Sequence, residues 1–501
     1  MADEPAADEP AAEPRFALAA AQHYLLSPRT PEGTALLLSE AAPQALIELA
    51  ARGQHDAMLA LRRAFGGQDG LALLSSAPLA PLLTVALVSP ELGVREATAE
   101  LLRSLGAALP AGLLALLRRV GALPALAALL CEGEGTGESN HALGLFACLV
   151  RAEGGLAAVL TEGGIGARAA ELGGADCGGG GGALERSRLA GALLALGFTS
   201  DGAFAACVGA GLLLRLLRLD PRGDALELMA ELEVLGRMGA DARGWAYLQG
   251  GAERGLERLA ALAAAAAPSA DALLCAVLRP SVWGCYEALL RGGQHECLAL
   301  LASSGLLAVA AAELLEPEPA TALSALSLLG AALKLPGGFE ATCAAAPDML
   351  PTVFRIAEGT DPELANACLH TLGAAVEAGG DGVAEALCGG GAGSEVLGGL
   401  HKRVLRPFQN DRVAAYHLLE SLAATERGLE LITAASGLVD ALLTPSAADA
   451  DAVAWRRSVL HAISVNAAAP QLLGDRLKFV TGALAKGGSA TQAPGVSTAS
   501  R

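Results

Sequence analysis

Eight histidines, ten cysteines and an excess of carboxylates are the side chains in this sequence that could do chemistry. A metal site needs ligands clustered at workable spacing, as in HExxH or paired CxxC. His23, His55, His141, His295, His370, His401, His417 and His461 never form HExxH or HxH, and the cysteines stand singly. The densest triplet, His295-Glu296-Cys297, puts adjacent residues on diverging faces of a helix, which favours a structural role. Gly164-Ile165-Gly166-Ala167-Arg168-Ala169 matches the degenerate GxGxxA fingerprint of dinucleotide sites. That chemistry needs a strand before the glycines, whereas Leu156 to Leu160 fits a helix of the repeat described below. No GxxxxGK[ST] phosphate loop occurs, and Gly393-Ser394-Glu395 fails the GxSxG nucleophile elbow on both sides. No catalytic, cofactor-binding or metal-binding residue is therefore assigned, and a non-enzymatic chain without a cofactor is expected.

Charge narrows the partners. The formal net charge is −18, with four lysines in the whole chain, which argues against a nucleic-acid binder that must neutralise phosphates. Acidic residues instead keep a chain with 53% hydrophobic residues in solution. The opening MADEPAADEPAAEPR lacks the basic and apolar regions of a secretory signal. Reduced thiols buried as small hydrophobes are expected, in the cytoplasm first and the nucleus second. Leu71 to Val88 runs eighteen residues without a charge, but Pro78 and Pro81 interrupt it and it fits the repeat phase. A buried pair of short helices, and no membrane contact, is the expectation there.

The elements that position any site come from a repeat. Thr425 to Leu443, TERGLELITAASGLVDALL, reads as a short helix after Gly428, a break at Ser436-Gly437, and an amphipathic helix from Leu438. The same phrase recurs at Asp69–Leu87, Glu153–Leu172, Asp201–Leu217 and Arg243–Leu259, and more loosely at Gln294–Leu314 and Pro336–Phe354. Its second helix is anchored at Leu79, Leu123, Ile165, Leu212, Leu256, Leu306, Met349, Val396 and Leu438, at intervals of 42 to 50 residues. Each unit also carries an upstream helix opening on Pro, Asp or Asn, such as Asp361–Val376, Asn410–Ala424 and Asp451–Val465. Three helices per unit of this length is the armadillo/HEAT period. The predicted fold is all-α, an armadillo/HEAT-like right-handed superhelical solenoid of about nine to ten repeats. A short second helix and a longer third helix are expected in each unit.

Around the array, residues 1–15 and 487–501 read as disordered tails, and residues 16–486 as the repeat domain. A Gly-rich loop at residues 173–182 and an Ala-rich insertion at residues 259–270 interrupt it. If third helices line a groove, six residues past their anchors stand Arg218, Arg355 and Lys402, with Arg403 adjacent and Arg215 and Arg406 nearby. These six are the candidate partner-binding residues, suited to an acidic segment or a terminal carboxylate. Trp245, Trp283 and Trp455 are expected to pack between units.

Gly244-Trp245-Ala246-Tyr247-Leu248, Arg279-Pro280-Ser281-Val282-Trp283-Gly284, Arg406-Pro407-Phe408, the Thr425–Leu443 phrase, the Asp451–Asn466 helix and Leu477-Lys478-Phe479 follow one another in a recognisable order. In order and spacing this part of the chain resembles the family of 26S proteasome non-ATPase regulatory subunit 5, over roughly Arg243 to Gly488. The resemblance implies a non-catalytic chaperone for assembly of the proteasome regulatory particle base. It also implies binding to the C-terminal region of a base ATPase subunit and a monomer before complex formation. The other reading is a generic armadillo scaffold or transport adaptor. Import receptors of this fold carry Trp-xxx-Asn pairs, and no Asn stands four residues after Trp245, Trp283 or Trp455.

Overall fold

The computed structural model describes residues 12–27, 30–40, 43–52, 54–65, 71–72, 74–75, 80–133, 136–174, 182–220, 224–250, 255–265, 272–291, 295–315, 318–388, 393–444 and 450–485. Every regular element among them is helical, without a strand. The chain divides into two compact units, Met1–Arg218 with Gly251–Gly255, and Leu219–Gly250 with Leu256–Arg501. Each is built from the same three-helix repeat, and the fold is all-α and armadillo/HEAT-like.

The repeat of Gln409–Ala424, Glu426–Ala434 and Leu438–Leu443 shows why the sequence folds this way. Ala414, Ala415, Leu418, Leu419 and Leu422 form a buried stripe at helical spacing along the long helix. Thr425 closes the corner, its hydroxyl accepting from the Gly428 N–H at 3.0 Å, a cap that contributes about 1 kcal/mol. Gly428 is there because the corner is tight: a Cβ would lie 2.2 Å from the Leu422 carbonyl oxygen. Gly155, Gly244 and Gly338 stand in the same relation to the carbonyl six residues earlier, at 1.9 Å each. Gly428→Ala is therefore expected to cost about 1–3 kcal/mol, since backbone must move to admit the methyl. Thermal melting of the variant checks this, and an unchanged midpoint would contradict it.

Gly437 makes the second corner with φ +77°, the left-handed conformation that Gly adopts without a Cβ clash. Gly164, Gly211 and Gly305 do the same before Ile165, Leu212 and Leu306. The anchors Leu123, Ile165, Leu212, Leu306, Met349 and Leu438 each open a helix, and Leu256 and Val396 lie in the first turn of theirs. Leu79 is outside the described residues.

The expected longer third helix is found in some units, as in Gly255–Ala265 after Ala242–Gln249 and Met349–Ala357 after Gly338–Ala345, and not in others, as in Leu438–Leu443 after Glu426–Ala434. The helix after the anchor ranges from five residues in Leu212–Leu216 and six in Leu438–Leu443 to twelve in Gly393–Val404. The upstream helix is the long one, 16 residues in Gln409–Ala424 and 15 in Pro319–Leu333. Thr444 takes an extended conformation ahead of Pro445, which bars the α region to its neighbour and stops the anchor helix early. In the second unit the long helices Ala225–Gly239, Ala272–Arg291, Pro319–Leu333, Pro362–Cys388, Gln409–Ala424 and Ala450–Val465 pack side by side in one layer. Fully buried Ala325, Ala332, Ala365, Ala375, Ala414 and Ala415 let their backbones approach closely. Pro362–Cys388 joins a long and a second helix across a break at Gly380, φ +57° and ψ −140°.

In the first unit the helix pairs Ala12–Leu26 with His55–Phe65 and Leu92–Ala108 with Thr136–Leu149 pack together. Two successive second helices there widen to π turns, at Ala158–Glu162 and Ala205–Gly209, just before their left-handed glycines. Helix begins at Ala12, ahead of the expected boundary, while residues 1–11, 175–181 and 487–501 lie outside the described residues. The supposed Ala-rich insertion starts as core: Leu259 and Leu262 are buried in the helix Gly255–Ala265, and residues 266–271 are not described. No single helix among the described residues is long and apolar enough to cross a membrane.

Candidate binding surface

The six candidate cations fall into two sets. Arg215 is exposed in the helix Leu212–Leu216 and Arg218 is half-buried just beyond it, both in the first unit. Arg355, Lys402, Arg403 and Arg406 belong to the second unit, where Arg355, Lys402 and Arg406 are exposed. Lys402, Arg403 and Arg406 line a cavity of about 430 Å³ with Phe354 and Glu358, between the helices Met349–Ala357 and Gly393–Val404.

Arg403 is turned inward rather than presented to solvent. It is 7% exposed, donates to the Ala357 carbonyl at 2.6 Å, and reaches the Asn366 amide oxygen at 3.3 Å. Asn366 donates on to Asp411 Oδ1 at 3.1 Å, and Arg406 donates to Asp411 Oδ2 at 2.9 Å. Arg412, buried beside them, donates to the Arg406 and Pro407 carbonyls. The count of six from Val396 falls on the exposed Lys402, whereas Arg403, the next residue of the same helix Gly393–Val404, lies on its buried face. A buried guanidinium with a fixed set of acceptors locks repeats together.

The larger cavities lie on the long-helix layer. One of about 570 Å³ runs over the helices Ala272–Arg291, Pro319–Leu333, Pro362–Cys388 and Gln409–Ala424. Glu287, Arg291, Ser327, Lys334, His370, Thr371 and His417 supply its polar groups. A second, of about 500 Å³, lies between the ends of Gln409–Ala424 and Ala450–Val465, with Glu420, Glu426, Ser458 and His461 on its walls. Three rings from successive long helices meet: His370 and His417 are 4.9 Å apart, and His417 meets the Trp455 ring edge-on at 5.4 Å.

Electrostatics differ sharply along this layer. Burial pulls the His370 imidazole down to about 4, helped by His417 and Lys334. His417 falls to about 4 from burial and from Lys334. Both rings are therefore neutral at pH 7, and the 3.8 Å approach of His417 to Glu377 is no ion pair there. Glu420 is pushed the other way, raised first by burial and further by Glu377, against the hydrogen bond from Ser458. Sequence reasoning looked past these residues because it put the groove on the anchor helices. A signal was present: His370, His417 and His461 recur on successive long helices 47 and 44 residues apart, close to the repeat period.

The remaining chemistry-bearing residues are structural. Gly164 follows a helical turn, not a strand, so the GxGxxA match is no dinucleotide site. Burial pushes the Cys131, Cys297 and Cys368 thiols up to about 12, which leaves no thiolate at neutral pH. Trp245 and Trp283 are buried, and the Trp283 indole donates to Glu313, itself 3.4 Å from Arg279. Among the described residues no group of three or more His, Cys, Asp or Glu could hold a metal ion.

No protein-family model and no curated protein matches the chain. Solved structures do. An engineered protein from a structural genomics consortium is 16% identical, covers 88% of this chain and 98% of its own, and gives a TM-score of 0.44. A designed armadillo repeat protein in complex with the peptide (KR)4 is 14% identical, over 49% of this chain and 96% of its own, with a TM-score of 0.40.

Proposed function

We propose that this chain is a non-catalytic protein-binding scaffold and, within that class, a chaperone for assembly of the 26S proteasome regulatory particle base. The observation that carries the scaffold reading is the run of cavities along the long helices of the second unit. A surface spread over successive repeats suits a polypeptide, with affinity distributed across several units rather than held in one pocket. The finer reading rests on the ordered resemblance between Arg243 and Gly488, and its partner is the C-terminal region of a base ATPase subunit. Arg355, Lys402 and Arg406 in the second unit, and Arg215 and Arg218 in the first, are proposed as auxiliary contacts to acidic stretches of that partner.

Affinity purification of the tagged full chain with mass spectrometry tests this. Base ATPase subunits are the expected recovery. Mature core particle without those subunits would sink the chaperone reading, and capture of a basic localisation peptide would favour a transport adaptor.

A further inference from the structure

One unpaired cation and two neutral imidazoles face the same cavity on the long-helix layer. Lys334, just past the end of Pro319–Leu333, is exposed and forms no ion pair among the described residues. The other cation on the cavity, Arg291, is held by Glu287 one turn away. His417 is 8% exposed, and its Nδ1 has no hydrogen-bond partner. Gly330, Ala331, Ala367 and Ala374 add little bulk beside Leu290, Leu326 and Leu335, so the cavity is a trough with an apolar floor. Four helices at the usual 8–10 Å spacing give a trough of roughly 30 Å, the length of about nine extended residues.

We propose that this trough takes a partner polypeptide in extended form, with one acidic side chain seated between Lys334 and the His370–His417 pair. The inference rests on the protein-binding reading above and gives that reading a specific ligand chemistry. A side chain rather than a chain end fits, because a second cavity continues the surface beyond Gln409–Ala424, so that the bound strand passes through. Lys334 supplies the charge, and an imidazole supplies a second donor once it takes up a proton from solution. The groups facing the pair are Lys334 from one neighbouring helix, Glu287 and Arg291 from the next, Glu377 on the same helix as His370, and Glu420 beside His417. Burial first, and Lys334 after it, disfavour the imidazolium; a carboxylate seated against the ring attracts the proton and opposes both, so binding and protonation support each other.

Titration calorimetry on the full chain with capped octaglutamate and capped octaglutamine tests the site. Octaglutamate is expected to bind at least tenfold more tightly. Its affinity should rise about fourfold between pH 7.5 and 6.0, as expected for one group moving from about 4 to 6.5 on binding. Lys334→Glu should weaken octaglutamate at least tenfold, the charge-matched Lys478→Glu should not, and His370→Gln with His417→Gln should remove the pH dependence. Equal binding of the two peptides, no binding, or indifference to Lys334→Glu overturns the proposal. So would a free C-terminus on octaglutamine that restores the full affinity, because the seat would then take a chain end. Recovery of base ATPases that ignores Lys334→Glu removes this site and leaves the proposed function. Carboxylate binding that depends on Lys334, without those subunits, removes the function and leaves the site.

Discussion

Asp411→Ala should be among the most damaging single substitutions in the second unit, costing about 3–5 kcal/mol, the range for breaking a buried charge cluster by removing one partner. Asp411 is 4% exposed and accepts from both Asn366 and Arg406. Removing it leaves Asn366 without its acceptor and the buried Arg403 with one fewer counter-charge. The half-exposed Arg406 loses less, because solvent screens it. Burial alone would raise the Asp411 carboxyl, but the Arg406 and Asn366 hydrogen bonds and the Arg403 charge hold it below the ordinary range. Its contribution is thus present above the ordinary carboxylate range and lost as pH falls through the lowered value. Thermal melting at pH 7 checks the magnitude, and a double-mutant cycle with Arg406→Ala separates the ion pair from the buried remainder. A midpoint equal to wild type would show that the cluster does not hold the repeats.

The repeat was legible in the sequence because its punctuation has a steric cause. Gly437 must adopt φ +77°, and Gly428 must lack a Cβ, so both recur wherever the same corners are made. The anchors Ile165, Leu212, Leu306 and Leu438 followed from that punctuation and open helices as expected, and Leu123 and Met349 open theirs without a glycine directly before them. Which helix is long was less visible, since Leu- and Ala-rich stretches give the same apolar spacing in either position. The length is decided by what stops each helix, such as Pro445 after Thr444, and not by its stripe.

The site was less legible than the repeat. Arg403 had the right charge and stood beside the counted Lys402, yet its guanidinium closes on Ala357 and Asn366, contacts 46 and 37 residues away in sequence. No local pattern encodes such a pairing. His370 and His417 carried a repeat-period signal, but a histidine on an apolar stripe reads as core until its neighbours are known. Here the neighbours decide the matter: Gly373 admits the His417 ring because a Cβ would lie 2.4 Å from its Nδ1.

Acid should destabilise the second unit well above the range in which carboxylates titrate. His370 and His417 sit at about 4 in the folded chain against an ordinary value near 6.5. Between those values the unfolded chain binds more protons, so stability is full above about pH 6.5 and declines as pH falls toward 4. Each ring contributes on the order of 3 kcal/mol at most over that window, and less for the pair because the two rings are coupled. Glu420 works in the opposite sense. Its raised value means that protonation favours the folded chain, so its penalty is relieved as pH falls. Melting temperatures followed from pH 7.5 to 4.5 should therefore fall for the wild type. They should fall much less, or rise where Glu420 titrates, when His370 and His417 are both replaced by Gln. Parallel curves for the two proteins would place the acid sensitivity elsewhere. The same neutral imidazoles make the layer cheap to fold at neutral pH and ready to take a proton when a carboxylate arrives beside Lys334.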